Sequence, residues 1–205
     1  MMRELVGGVD VSRETYDRLK AFEELVRKWT VKINLISPAT IGQIWERHIL
    51  DSVQVWPLAP QDALSWVDIG SGGGFPGIVM AILAKEFRPE MTVTLIESDQ
   101  RKCAFLRTAG RELGLNIKVL SERVESVAPM GADVMTARAL AALDVLMGFA
   151  DRHLTPDAVA IFPKGRAFEA EVSDARQQWQ FSLEIYESMT DPEARLLRVE
   201  RITRA

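Results

Sequence analysis

The sequence predicts an α/β fold in which a mostly parallel β-sheet carries helices on both faces. From about residue 64, short apolar runs alternate with amphipathic segments, and such alternation is typical of parallel strands joined by helical connections. A glycine-rich turn follows the first apolar run and opens a helix. In an open parallel sheet the ligand binds at the carboxyl ends of the strands, where this turn lies.

Residues 1–60 are predicted to form a small helical extension ahead of the sheet. Ser12 fits an N-cap, with Glu14 in the first turn of the helix that follows. The apolar residues after this cap recur every three or four positions, which marks one face of a helix. They are Leu19, Phe22, Val26, Trp29 and Ile33.

A second helix is expected to begin at Ser37-Pro38, because a cap residue followed by proline is a common helix start. It should end before Pro57. Arg47 and Asp51 are four residues apart on this helix, so we predict that they pair directly. Such a pair would anchor the helix to the sheet; the alternative is a mixed role, in which the helix also helps to close the active site.

Residues 61–205 are predicted to form the sheet domain, packed with the extension as one unit. The expected strands are 64–69, 91–96, 117–120, 132–135, 158–163, 181–186 and 195–202. The expected helices are 76–87, 99–113, 143–154 and 166–179. The last two strands, joined by Asp191-Pro192, should form an antiparallel hairpin at one edge of the sheet.

The composition of the 205 residues, 47% hydrophobic and 26% charged, is that of a globular protein. No apolar run reaches the roughly 18 residues of a membrane span, and the start Met1-Met2-Arg3 shows no secretory h-region. Cys103 is the only cysteine, so we expect a reducing cytoplasm and a core role for its side chain. The net charge of −4 argues against a broad non-specific nucleic-acid binder. A monomer is the expected state.

The most informative segment is the turn from Asp68 to Gly77, which reads D-I-G-S-G-G-G-F-P-G. Glycine lets the backbone approach a ligand closely, and the helix N-terminus behind the turn favours a polar or anionic group. Read from Gly72, the turn satisfies the G-x-G-x-x-G dinucleotide fingerprint. Read from Asp68, it resembles the S-adenosylmethionine-binding loop of Rossmann-like methyltransferases. Asp68 would suit a cationic ligand and would sit poorly beside a pyrophosphate.

Glu97 closes the second predicted strand and could accept hydrogen bonds from both hydroxyls of a ribose. Nicotinamide-dinucleotide proteins also carry an acid near this position, so Glu97 does not separate the two interpretations. The structural alternative is a carboxylate stabilised by the N-terminus of the next helix.

Taken together, the motifs resemble the RsmG (GidB) family of small-subunit ribosomal RNA guanine-N7 methyltransferases. The resemblance runs from about residue 29 to residue 165. The matching motifs are Asn34-Leu35, R-H-I-L-D-S at 47–52, the glycine turn, Glu97-Ser98, Arg101-Lys102, Phe105-Leu106, R-V-E at 123–125, Arg138-Ala139 and Lys164-Gly165. The block at 47–52 ahead of a G-F-P-G turn is specific in combination.

The resemblance implies a Rossmann-like class I methyltransferase with a seven-stranded sheet. It also implies S-adenosyl-L-methionine as methyl donor and a guanine of 16S rRNA, in the small ribosomal subunit, as acceptor. Val124 and Glu125 would flank the adenine, and Arg138 would face the mouth of the active site. The expected cofactor-binding residues are Asp68, Gly70, Ser71, Gly72, Gly74, Phe75, Glu97, Val124, Glu125 and Arg138.

Guanine N7 has an in-plane lone pair and no proton, so its methylation needs no general base. We therefore expect catalysis by positioning and electrostatics, without a metal. The residues expected to act in this way are Arg138, His48, Arg47 and Lys164.

Two features of the sequence have a functional and a structural interpretation. A run of cations is either a basic rim for RNA phosphates or an ordinary exposed helix face. Its members are Arg101, Lys102, Arg107, Arg111 and Arg123. His153, near the end of a predicted helix, is expected to be a capping or surface residue.

Three other functions stay open at this point. The first is a nicotinamide-dependent oxidoreductase, which would bind NADH and not S-adenosyl-L-methionine. The second is an RNA-binding module that transfers no methyl group. The third is a methyltransferase with another acceptor.

Overall fold

The computed structural model describes residues 3–205; Met1 and Met2, on which the expectation about a leader partly depends, lie outside this range. The strands are β1 (Arg3–Val6), β2 (Val9–Ser12), β3 (Ser65–Ile69), β4 (Thr92–Ile96), β5 (Ile117–Leu120), β6 (Ala132–Ala137), β7 (Leu154–Lys164), β8 (Trp179–Glu187) and β9 (Arg195–Arg204). The α-helices are α1 (Arg13–Thr30), α2 (Asp51–Val53), α3 (Gly77–Phe87), α4 (Gln100–Glu112), α5 (Leu143–His153) and α6 (Phe168–Ala175).

The main sheet has seven strands in the order β5-β4-β3-β6-β7-β9-β8. Strands β3 to β7 are mutually parallel, whereas β9 runs antiparallel to both β7 and β8. The predicted α/β class and the terminal hairpin are therefore confirmed. The chain builds β4 and β5 on one side of β3 and then returns to place β6 on its other side. This reversal creates the crevice between β3 and β6 in which such sheets bind ligands.

The N-terminal extension was predicted to be helical, and this prediction is wrong for its first residues. Strands β1 and β2 pair there as an antiparallel hairpin. Its two-residue turn is Gly7-Gly8, with φ of +52° and +82°. Positive φ at both central residues is what a tight hairpin turn requires, and glycine adopts it without strain. The Glu86 carboxylate of α3 accepts the Ser12 backbone N–H at 3.0 and 3.1 Å, which fastens the hairpin to the sheet domain.

Helix α1 begins where the sequence predicts, since the Ser12 hydroxyl accepts the Thr15 backbone N–H at 3.2 Å. The second predicted helix is instead an irregular segment. It consists of a 3₁₀ turn (Pro38–Gln43), a π-helical turn (Trp45–Leu50) and the single turn of α2. Mid-helix π turns change which side chains face each other, and they recur at functional sites.

The core lies on both faces of the sheet, and neighbouring residues of β3 divide between them. Trp66 packs with α1, α3 and α4 on one face, whereas Val67 packs with α5 and α6 on the other. Phe22 of α1 stacks near Phe75 and Phe105, with ring centroids 5.1 and 6.4 Å apart respectively. The extension therefore shares one hydrophobic cluster with the sheet. Cys103 is buried, as predicted.

Among residues 3–205, none of the helices has the length and apolarity needed to cross a bilayer.

Candidate functional site

Two adjoining cavities open at the carboxyl ends of the parallel strands, beside the crevice between β3 and β6. Their volumes are about 990 and 440 Å³. They share a wall formed by Gly70, Gly72, Lys102 and residues 139–141. The site is thus one cleft with two lobes, and the glycine turn lies at their junction.

The conformation of the glycine turn depends on its own backbone. Gly70, Gly72 and Gly74 have φ of +64°, +54° and +84°, values that other residues adopt only with strain. The Ser71 hydroxyl donates to the Asp68 carbonyl at 2.8 Å, and the Gly74 N–H donates to the Ser71 carbonyl at 2.7 Å. These bonds hold the N–H of Gly72 toward the next strand.

Glu97 links the glycine turn to helix α4. Its carboxylate accepts the backbone N–H groups of Gly72 and Asp99, each at 2.8 Å. The residue is 8% exposed and lines the smaller lobe together with Val124 and Glu125. A carboxylate has about four acceptor positions, so Glu97 retains capacity for a ligand's hydroxyl groups. The structural and the ligand-binding interpretations of Glu97 are therefore compatible.

Asp68 lies behind the glycine turn and lines neither lobe. It is 1% exposed, and its Oδ1 accepts the Thr136 hydroxyl at 2.7 Å. Trp66 Nε1 donates to the same hydroxyl at 3.0 Å. Burial raises the pKa of Asp68 to about 6, although the Thr136 hydrogen bond opposes this shift. The direct contact of Asp68 with a cofactor stays a prediction. In the structure its side chain is buried behind the glycine turn, on the side away from the cleft, and helps to hold the turn in place.

Gly74 also faces the interior. A Cβ at this position would lie 2.6 Å from Ile78 Cγ1 and 3.1 Å from Phe22 Cζ, so only glycine lets α3 and α1 pack this closely. Gly72 is the opposite case, because the nearest atom to a Cβ there would be the Gly70 carbonyl oxygen at 3.7 Å. A side chain at Gly72 would extend into the cleft. Gly72 is thus the position where the backbone leaves room for a ligand.

Arg138, directly after β6, brings together the polar residues of the larger lobe. Its Nη2 lies 2.8 Å from His48 Nδ1, and its Nη1 donates to Asp51 Oδ2 at 3.1 Å. Nη1 also donates to the Arg47 carbonyl at 3.3 Å. The guanidinium carbon lies 5.3 Å from the centroid of the Phe75 ring, within cation–π range. Asp51 balances the charge of Arg138 inside a partly buried site.

The predicted direct pair of Arg47 and Asp51 is wrong. Arg47 donates to Asp191 at 3.2 Å, whereas Asp51 pairs with Arg138 and accepts the Thr190 hydroxyl at 2.8 Å. The π-helical turn separates the two side chains, since its hydrogen bonds span five residues and not four. The β8–β9 turn then packs against the segment and supplies the partners.

Lys164 is a structural support in the wall of the larger lobe. Its ammonium donates to the Ala141 carbonyl at 2.8 Å and pairs with Glu171 at 2.6 Å. Glu171 also accepts the Leu143 backbone N–H at 2.9 Å, at the start of α5. Lys164 therefore holds the segment between β6 and α5 in place, and its predicted catalytic role stays a prediction.

Only two cations of the predicted basic rim border the cleft. Lys102 lines both lobes, and Arg123 lines the smaller one. Arg101 pairs with Asp99 at 3.2 Å, and Arg107 donates to the Val119 carbonyl at 3.3 Å. Arg111 is exposed on α4 away from both lobes. The charged face of α4 is thus mainly an ordinary solvated surface.

Several site residues were missed by the sequence reasoning. Thr40, Gly73, Leu140 and the β8–β9 turn all line the larger lobe. A Cβ at Gly70 would lie 2.6 Å from Leu140 Cδ1, so the loop after β6 lies directly over the glycine turn. Ala139, next to it, has φ of +53°, which is strained for alanine. The strained backbone at Ala139 could be found only in the structure. Thr40, by contrast, lies close to the predicted helix start at Ser37-Pro38, and this position was a usable signal in the sequence.

His48 should stay neutral well below pH 6. It is 9% exposed, and burial together with Arg138 and Arg47 lowers its pKa to about 4. An NMR titration of its ring is expected to show no midpoint between pH 8 and pH 5. The unfolded chain takes up this proton near pH 6.5, so the folded state should lose stability as the pH falls from about 6.5 toward 4. A midpoint near 6.5 in the folded protein would contradict the neutral ring.

His153 was expected to be a capping or a surface residue; it is the last residue of α5, but its side chain is fully buried, so the surface alternative is wrong. Its Nε2 lies 3.3 Å from the Val124 carbonyl, and burial lowers its pKa. The ring supports the segment that lines the smaller lobe. Within residues 3–205, no three His, Cys, Asp or Glu side chains converge in a way that could hold a metal ion.

Comparisons with known proteins agree with the family that the sequence motifs resemble. The model of the GidB family, described as rRNA small subunit methyltransferase G, matches residues 15–197. The protein named ribosomal RNA small subunit methyltransferase G from Ruegeria pomeroyi is 52% identical over 196 residues, which are 96% of each chain. Its namesake from Ruegeria sp. strain TM1040 is 51% identical over 196 residues, 96% of this chain and 95% of that protein.

Among solved structures, a SAM-dependent methyltransferase from Aquifex aeolicus is similar with a TM-score of 0.57 at 15% sequence identity. The match covers 86% of this chain and 96% of that one. Similarity at this level of identity concerns the fold, and it confirms the Rossmann-like methyltransferase architecture.

Proposed function

The chain belongs to the GidB family, rRNA small subunit methyltransferase G, and we propose that it methylates N7 of one guanine in 16S rRNA. The donor is S-adenosyl-L-methionine. The observation that carries this proposal is the two-lobed cleft that meets at Gly72. A methyl transferase must hold a donor and an acceptor side by side, with the transferred group at the junction of their two sites.

The smaller lobe fits the nucleoside part of the donor. Glu97 can accept the ribose hydroxyls while it keeps the Gly72 N–H, and the segment with Val124 and Glu125 forms the wall for the adenine. The donor's chain fits in front of Gly72, where even a Cβ would meet no atom closer than the Gly70 carbonyl oxygen at 3.7 Å. Asp68 contributes from behind the turn, where its carboxylate supports the strand end and the start of α3.

The larger lobe fits the acceptor base. The Arg138 guanidinium, which lies over the buried Phe75 ring, presents a planar cation to this lobe, and RNA bases that leave their stack pack on such planes. Arg47, at the cavity mouth, and Lys102, in the shared wall, are placed for phosphate contacts. Lys164 acts as a positioning residue through the Ala141 carbonyl.

Bound S-adenosyl-L-methionine supplies an electrophilic methyl group that the lone pair of guanine N7 can accept by in-line displacement. The protein's part is to orient the base and to exclude water. Arg138 is held by three acceptors, namely His48, Asp51 and the Arg47 carbonyl, so little reorganisation is needed when the base arrives. Asp51 neutralises the guanidinium, which limits its repulsion of a cationic donor.

One chain forms both lobes of the cleft, so we propose that the enzyme acts as a monomer. A ribosomal substrate implies work in the cytoplasm. The modest net charge of −4 implies that specificity depends on folded RNA or on the assembled subunit, not on general phosphate attraction.

The test is methyl transfer from labelled S-adenosyl-L-methionine to small ribosomal subunits and, separately, to their naked RNA. The modified base is mapped by chain cleavage at N7-methylguanine. One labelled guanine is the expected result. Donor binding without label on RNA would move the proposal to another acceptor, and binding of NADH in place of the donor would overturn it.

A further inference from the structure

We propose that Thr40 is a positioning residue for methyl transfer, because its hydroxyl selects the tautomer of His48 that can hold Arg138. The proposal rests on the proposed function in one respect, namely that Arg138 borders the acceptor site. Its geometric part concerns only three hydrogen bonds in the wall of the larger lobe.

The directions of the hydrogen bonds follow from two facts: arginine only donates, and a carbonyl only accepts. Arg138 Nη2 lies 2.8 Å from His48 Nδ1, so Nδ1 must be the unprotonated acceptor of the ring. A neutral ring then carries its proton on Nε2, which lies 2.9 Å from Thr40 Oγ1. The hydroxyl oxygen accepts a hydrogen bond from this N–H, and the hydroxyl O–H donates to the Ser37 carbonyl at 2.9 Å.

The Ser37 carbonyl fixes the direction of the hydrogen bond between Thr40 and His48. A carbonyl can only accept, so it draws the Thr40 hydrogen away from the imidazole. The same carbonyl accepts the Thr40 backbone N–H at 2.9 Å, in the first turn of the 3₁₀ segment Pro38–Gln43. The hydroxyl is therefore held by the local backbone as well as by its own bond.

The opposite tautomer would place an N–H of His48 against an N–H of Arg138. The guanidinium would lose one of its three acceptors and would be free to tilt over the Phe75 ring. Asp51 would still neutralise its charge, so the loss concerns orientation and not folding. A misplaced catalytic group lowers the rate of the chemical step without weakening the binding of the donor.

The kinetic test compares Thr40→Val with Thr40→Ser. Valine keeps the shape and removes the hydroxyl, whereas serine keeps the hydroxyl. We expect Thr40→Val to lower kcat by about tenfold, the scale of one lost hydrogen bond, with the donor Kd unchanged within about twofold. Thr40→Ser should stay within about twofold of the wild-type kcat. Equal rates for the two variants would overturn the proposal.

A second measurement does not depend on methyl transfer. The chain has two histidines, so ¹⁵N NMR of the histidine-labelled wild-type protein resolves both rings, and the missing signals of His48→Gln assign them. We expect a protonated Nε2 and an unprotonated Nδ1 for His48, and a mixture of tautomers in Thr40→Val. A protonated Nδ1 in the wild-type ring would overturn the proposal. This spectrum tests the selection of the tautomer by Thr40 even if the wild-type protein transfers no methyl group, a result that would count against the proposed function.

Discussion

Replacement of Arg138 by alanine should lower kcat for methyl transfer by about two orders of magnitude, while the protein stays folded. Arg138 contacts His48 and Asp51 and lies over the face of Phe75. Loss of a preorganised charged donor typically costs 10²–10³ in rate. The free energy of unfolding should fall by only about 1–2 kcal/mol, because Asp51 keeps its hydrogen bonds to Thr190 and Gln54.

Arg198→Ala is the matched control for this variant. Arg198 has a side chain of similar exposure, 19% against 20%, and pairs with Glu184 and Glu200. It borders neither lobe of the cleft. Its loss should lower stability by a comparable amount and leave single-turnover methyl transfer unchanged. A kcat for Arg138→Ala within threefold of wild type, measured at saturating donor, would rule out the proposed role of Arg138.

Gly72→Val should abolish measurable binding of S-adenosyl-L-methionine. A Cβ at Gly72 would have only the Gly70 carbonyl oxygen, at 3.7 Å, as a near neighbour, so the valine methyl groups would lie in the cleft between the two lobes. The backbone there has φ of +54°, a conformation that a β-branched residue adopts only at a cost of about 1–2 kcal/mol. The methyl groups and the backbone strain should both weaken donor binding. The methyl groups do so directly, because they occupy space that the donor needs. Isothermal titration is expected to show a loss of affinity of at least about a hundredfold.

Gly131→Val separates the two effects. Gly131 has φ of +59°, and a Cβ there would have Thr155 Cγ2 at 4.0 Å as its nearest neighbour. Its backbone strain therefore matches that of Gly72, but it lies away from both lobes. We expect Gly131→Val to reduce stability and to bind the donor normally. Normal titration of Gly72→Val itself would refute the assignment of the glycine turn.

Most of the fold could be predicted from local patterns. The cap at Ser12 and the strand–turn–helix from Ser65 to Phe87 lie where the sequence placed them, within a few residues. The N-terminal hairpin was missed, although Gly7-Gly8 between apolar residues was a usable signal. Propensity alone did not indicate the π-helical turn of residues 45–50, since its geometry depends on what packs against it.

The candidate site also contains residues that could be predicted from the sequence and residues whose role could not. Gly72, Glu97 and Arg138 could be selected in advance, because each follows a strand at the ligand edge of a parallel sheet. Asp68 and Gly74 belong to the same turn but face inward, and a motif does not state which side of a turn its residues face. Lys164 was selected for its position after the predicted strand 158–163, yet it is the last residue of β7 and its ammonium pairs with Glu171.

Local sequence determines the elements and the order in which they line up at one edge, because caps, glycine turns and apolar periodicity act over a few residues. The partners of the charged side chains come from distant parts of the chain. Arg47 meets Asp191, and Arg138 meets Asp51, across 144 and 87 residues respectively. Only the tertiary structure decides such pairs. A long charged side chain can reach several positions, and it pairs with whichever acceptor the packing of distant segments brings within about 3 or 4 Å.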